Sequence, residues 1–328
     1  MELSTAIKQY ISGKYDQHPD MFRQDLEVID NLRRDAANVK EPHASGARRI
    51  AAYAAQLSWM GSKFPDDVRV VCVPLCFRIL TRYKIGIEFS WYPALGYNTD
   101  RPVSQNSLIF ERVNILYNLA ALYSQLATSV NRSTGDGLKS AVRYFCLAAG
   151  VVSHLKDVIP TMINPPPEDM DIATLESIQQ LLLAQAQECF WQKAVMDRYK
   201  DASIAKLAVR VSDLYITASD WAVKSEAISS EWIHHMTAKH HHFAAAAQYR
   251  QSCVCLDQRK YGEEVARLQD SLVCVNEAIK ESRYVNKMVL EDINGLRSRV
   301  QEDLRRAEKD NDLIYLSNTL SSRFIALC

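Results

Sequence analysis

The chain has 328 residues, of which 48% are hydrophobic and 24% charged, and its 39 Lys and Arg balance 39 Asp and Glu. This composition excludes wholesale disorder and supplies enough apolar side chain for a substantial core, while a net charge of zero removes the long-range attraction typical of a nucleic-acid binder. The longest apolar run, Val71 to Phe77, falls far short of the roughly 20 residues of a membrane-spanning helix, and the opening MELSTAIKQY lacks the apolar centre of a signal peptide. The expected location is the cytoplasm.

With only 10 glycines, the chain favours helix over a many-stranded sheet. Val70 to Lys84 is apolar, carries Pro74, Cys72 and Cys76, and interrupts two segments that read well without it. Helix-length patterns then cover Phe110 to Val130, Leu138 to Val158, Ile172 to Tyr199, Ala202 to Ala222 and Glu231 to Leu256. NRSTGDG at Asn131 to Gly137 supplies a turn, and INPPPEDMD at Ile163 to Asp171 a proline break ending in acids suited to a helix N-terminus. Ser229 and Ser230 before Glu231 favour another helix start. From Tyr261 the stripe Val265, Leu268, Leu272, Val275 and Ile279 is amphipathic, and Val289, Ile293, Leu296, Val300 and Leu304 repeat it. The tail Ser317 to Cys328 has weak periodicity. Long helices on short links predict an all-α protein, an elongated stack of antiparallel helical hairpins without a fixed repeat period.

Candidate chemistry is sparse. His234, His235, His240, His241 and His242 crowd one helix, but no HExxH spacing and no suitably placed acid accompany them, so a satisfied helix is favoured over a metal centre. The 8 cysteines lack zinc-ligand or disulfide-framework spacing and are expected to be reduced. No nucleophile elbow, phosphate loop or dinucleotide fingerprint occurs, so no catalytic residue, metal or cofactor is expected. A binding surface is the stronger candidate. Phe190 and Lys193 share one helix face and Ser203 and Leu207 the next, which gives an antiparallel hairpin an apolar patch edged by a cation, suited to an amphipathic partner helix with flanking acids. Arg33, Arg34, Arg48 and Arg49 give a local positive potential, consistent with at most peripheral or indirect membrane contact.

Several long motifs resemble one family in order: KYDQHPDMF, FERVNILYNLAALYSQLA, YFCLAAGVVSHLKD, QLLLAQAQECFWQKA, KDASIAKLA, AAQYRQS, KYGEEVARLQ and AEKDNDLIY. They are similar to the Bro-one domain of Alix and fungal endosomal-sorting proteins. EWIHHMTAKHHHFAAAAQYRQS, with RPVSQNSLIFE, most resembles the PalA branch of fungal pH-response regulators. The resemblance implies a banana-shaped domain over 1–316 with a tetratricopeptide-like core, an incomplete small N-terminal sheet and missing closing segment, a non-family insertion at 70–84 and a non-family tail at 317–328. These two stretches are expected to come from a retained intron or a gene-model error.

It further implies a non-enzymatic scaffold that docks the C-terminal helix of an ESCRT-III subunit at endosomal membranes. That docking would serve ambient-pH signalling, in which a calpain-like protease processes a zinc-finger transcription factor. The factor would be held by a V-shaped domain that this chain lacks. Phe190, Lys193 and Leu207 fall on the family's docking positions, Ser203 stands where Alix has an aliphatic residue, and Tyr315 resembles a tyrosine near the same patch that is a candidate for regulation. General endosomal cargo sorting by the same fold, and a metalloenzyme built on the histidines, are the alternatives.

Overall fold

The computed structural model describes residues 2–15, 17–61, 63–64, 86–163 and 165–319. The proposed insertion at 70–84 and residues 320–328 of the proposed tail lie outside them. The described residues form two compact units, one lying within 2–129 and 151–170, the other within 130–150 and 171–319.

In the first unit, α1 (Leu3–Lys14), α2 (Arg23–Ala37), α3 (Ala44–Gly61) and α4 (Leu108–Ser129) pack in sequence around Tyr53, Phe89 and Phe110, all nearly inaccessible to solvent. A two-stranded antiparallel sheet of β1 (Phe89–Trp91) and β2 (Val103–Gln105) pairs Ser90 with Ser104. Glu111 on α4, only 1% exposed, joins these elements. Its carboxylate accepts from Arg33 Nε at 3.1 Å, Tyr53 OH at 3.0 Å and Trp91 Nε1 at 2.7 Å. Arg33 is therefore committed to a buried acid and lies against the Phe89 ring, rather than being a free membrane-facing cation. Three donors around one carboxylate make the charge itself structural. Glu111→Gln is expected to lower stability by about 2–3 kcal/mol, read as a fall in the urea midpoint with an unchanged slope; a shift below about 0.5 kcal/mol would contradict this role.

The helix α5 (Gly135–Met162) begins after the 131–134 turn. There the Asn131 side chain accepts from Ser133 N at 2.9 Å and the Thr134 hydroxyl accepts from Gly137 N at 3.1 Å. A Cβ on Gly137 would overlap the Asn131 carbonyl, so only glycine fits this close approach. The helix runs past Val158 to Met162 with Pro160 in its last turn, because a proline so near the C-terminus removes a single backbone donor. The break follows, and Asp171 caps the next helix by accepting from Ala173 N at 3.0 Å.

In the second unit, α6 (Ile172–Met196), α7 (Asp201–Ala222), α8 (Ser230–Asp257), α9 (Tyr261–Lys280) and α10 (Lys287–Asp310) form successive packed hairpins. α8 sits between α7 and α9, and Phe243 through Gln248 are buried without interruption. Alanines at 244–247 let the neighbouring backbones approach from both sides; the Ala245 carbonyl accepts the Ser271 hydroxyl of α9 at 2.8 Å. A single π turn, Asn311–Tyr315, closes α10.

Candidate docking surface

The α6–α7 hairpin turns over Asp197 to Lys200. α6 stops at Met196, short of the expected Tyr199, because Arg198 enters the left-handed region at φ 54° and Tyr199 N donates back to the Ala194 carbonyl at 3.0 Å. An antiparallel pair closed by this turn sets Phe190 level with Leu207, and Lys193 level with the first turn of α7 that carries Ser203. The four residues therefore lie at matching heights along one hairpin. Phe190 is 49% exposed, Ser203 is exposed and Leu207 is half-buried.

Two further apolar side chains of the same hairpin, Met196 and Tyr199, are also exposed, and were not singled out from sequence. An aromatic residue in a tight polar turn was the signal available for Tyr199. Asp201, at the start of α7, receives Arg250 Nη1 of α8 at 2.8 Å, which ties the hairpin to its neighbour.

Lys193 is not a free cation. Its ammonium donates to Asp197 Oδ2 at 2.6 Å, and that hydrogen bond raises the lysine above its ordinary value. The same ammonium lies at the first turn of α5, where a Cβ on Gly135 would stand 3.5 Å from it. The i,i+4 spacing to Asp197 was the sequence signal for this pair.

Tyr315 is placed apart from the hairpin residues in its contacts. Its ring stacks on Tyr261 of α9, with centroids 3.4 Å apart and planes 9° from parallel, and a hydrogen bond with Tyr261 raises its hydroxyl above the usual tyrosine value. The ring remains 41% exposed.

Of the α8 histidines, the His240 and His241 rings lie 4.8 Å apart, while the others face different neighbours. His234 Nδ1 lies 2.8 Å from Glu281 Oε2 while its ring stacks on Tyr284, and His240 Nδ1 lies 3.0 Å from the Ser212 carbonyl. Burial, reinforced by the Lys239 charge, pushes His242 down to about 4. Among the described residues, no three His, Cys, Asp or Glu side chains are arranged to hold a metal ion. Cys146, Cys189, Cys253, Cys255 and Cys274 are free thiols; burial pushes those of Cys189, Cys255 and Cys274 up to about 11, away from nucleophilic character at neutral pH.

Residues 1–324 match the BRO1-like domain. The chain is 64% identical over 318 residues to the pH-response regulator protein palA/RIM20 of Emericella nidulans, covering 97% of this chain and 36% of that protein. It is 60% identical over 320 residues to palA/prr-1 of Neurospora crassa, covering 96% and 36%. The chain therefore spans about a third of the length of these relatives.

Among solved structures, the ALIX BRO1 CHMP4C complex aligns with a TM-score of 0.85 at 27% identity, covering 99% of this chain and 88% of that one. A Bro1 domain solved to explain endosomal targeting aligns at 0.82 with 18% identity, covering 100% and 86%, and shows the shared fold. A match running along nearly the whole sequence and helices that superpose on a solved BRO1 domain lead to one conclusion: this chain belongs to the BRO1-like domain family.

Proposed function

We propose that this chain is a non-enzymatic scaffold whose α6–α7 hairpin docks the C-terminal helix of an ESCRT-III subunit, in fungal ambient-pH signalling. The observation that carries the reading is Phe190, an aromatic side chain left half in solvent, level with Leu207 and near the Lys193 cation on the same helix. An amphipathic helix with flanking acids would cover the apolar pair and meet the ammonium.

The names of the fungal relatives, and the solved complex of ALIX BRO1 with CHMP4C, support the same assignment. In this reading the chain is cytoplasmic and recruited to endosomal membranes through its partner. It thereby promotes processing of a zinc-finger transcription factor by a calpain-like protease. No helix among the described residues is long and apolar enough to cross a membrane, in keeping with recruitment rather than insertion.

The test is a fluorescence-anisotropy titration of a labelled ESCRT-III C-terminal helix with the full chain. Saturable binding supports the proposal; none, by protein that is helical by circular dichroism, overturns it. Ser203→Leu adds an exposed aliphatic side chain to the patch and is expected to tighten binding by about five- to thirtyfold, the equivalent of about 1–2 kcal/mol. Unchanged affinity in that variant would place position 203 outside the contact. In a strain lacking the protein, loss of growth at alkaline pH with normal vacuolar sorting separates this role from general cargo sorting.

A further inference from the structure

A cavity of about 620 Å³ opens in the second unit between α6, α8 and the N-terminal half of α10. It lies on the far side of α6 from the docking hairpin: Glu188, on its wall, and Phe190 are two residues apart, which on a helix separates their side chains by about 200°.

The charge at its floor is unbalanced. Glu188 receives Lys239 Nζ at 2.9 Å and Arg132 Nη2 at 3.5 Å, two cations on one carboxylate. Arg250 is matched by Asp201, and the rim acids Glu291 and Asp292 are exposed, with Glu291 facing Lys287 at 3.7 Å. Arg299, also at the rim, gives its Nε–H to the Gly295 carbonyl at 3.3 Å and forms no ion pair among the described residues. The first turn of α10, capped by Asn286, adds the positive end of a 24-residue helix.

A second observation is independent of charge. Trp191 Nε1 and His242 Nδ1, on two residues lining this cavity, are buried without a hydrogen-bond partner among the described residues. An indole N–H can only donate, so its burial without an acceptor marks this wall as incompletely satisfied. Beside the polar Ser133 and Gln192, the wall carries an apolar stretch of Phe243, Leu296 and Met288.

We propose that this cavity binds a small organic monocarboxylate with an apolar body, its carboxylate near Arg132 and Lys239 and its body against Phe243, Leu296 and Met288. The volume falls within the roughly 300–1,000 Å³ of small-molecule sites, which favours a free acid over the acidic side chain of a bound peptide.

The test is methionine-methyl NMR of the full chain, where Met288 reports the cavity and the exposed Met21 of the first unit is the reference. Titration with 4-phenylbutyrate is expected to shift Met288 saturably and leave Met21 in place. 4-Phenylbutanamide is expected to bind at least about tenfold more weakly, Arg299→Glu to weaken the acid by about fivefold, and Leu207→Asp to leave it unchanged. The proposal is overturned if the amide binds as well as the acid, if Arg299→Glu has no effect, or if no saturable shift appears below about 10 mM. Equal shifts with inorganic phosphate would reveal an adventitious ion only. Preferential binding of an acetylated Leu-Glu-Leu amide would reassign the site to a peptide.

Discussion

Leu207→Asp is expected to weaken docking of the ESCRT-III helix by at least about hundredfold, the equivalent of about 2.7 kcal/mol. Leu207 is half-buried on α7, between the core residues Ile204 and Ala208 on one side and the solvent-facing patch on the other. Apolar area that a partner would cover becomes a carboxylate, which loses hydration on docking and also repels the acids of that partner. The fold itself has little stake in the exposed half of this side chain. Circular dichroism should be unchanged and the stability read from urea unfolding should change by less than about 1 kcal/mol. Wild-type affinity in Leu207→Asp, with Phe190→Ala equally silent, would move the docking site off this hairpin.

Glu188→Gln is expected to cost about 3–5 kcal/mol of stability, a large share of the roughly 5–15 kcal/mol of an ordinary domain. The substitution preserves shape and removes only charge, leaving the Lys239 ammonium buried against the Phe243 ring without its counter-ion. Tyr215 also donates to Glu188, at 2.7 Å. Burial alone would raise this carboxyl, yet Lys239, Tyr215 and Arg132 together hold it down at about 2.

Its folded value therefore lies below the ordinary 4.5. The stabilisation is complete above about pH 4.5 and fades as the pH falls towards 2. Wild-type protein should lose stability through that interval more steeply than Glu188→Gln. The double variant Glu188→Leu with Lys239→Met removes both charges and should recover most of the loss. Urea midpoints at pH 7 decide the matter: a single variant within about 1 kcal/mol of wild type, or a double variant worse than the single, refutes the argument.

Much of the architecture was legible because most helices bury one stripe. Val265, Leu268 and Val275 of α9, and Ile293, Leu296 and Val300 of α10, recur at helical spacing and are all buried. α8, expected over Glu231 to Leu256 and found over Ser230–Asp257, was equally legible although its alanines are buried in an unbroken run between α7 and α9. The start of α6 could be read from Asp171, whereas its end could not, because a left-handed arginine replaces the glycine that usually marks such a stop.

Phe190, Lys193, Ser203 and Leu207 could be placed on one hairpin from spacing alone. The Glu188–Lys239 pair could not, since its two halves lie on helices that meet only after folding. The histidine cluster illustrates the opposite limit: a dense run in sequence largely disperses around a helix, with only the His240 and His241 rings left in contact.

The bond between Lys193 and Asp197 has a bearing on selectivity. An acidic helix arriving at this hairpin finds the ammonium already holding a carboxylate at 2.6 Å, so docking exchanges one anion for another instead of neutralising a bare charge. Such an exchange releases few counterions and adds little to affinity, leaving the apolar pair to supply most of it. On the docking proposed above, Asp197 would act as a placeholder, keeping the lysine oriented while the surface is empty and disfavouring an acidic segment that brings charge without an apolar face to match.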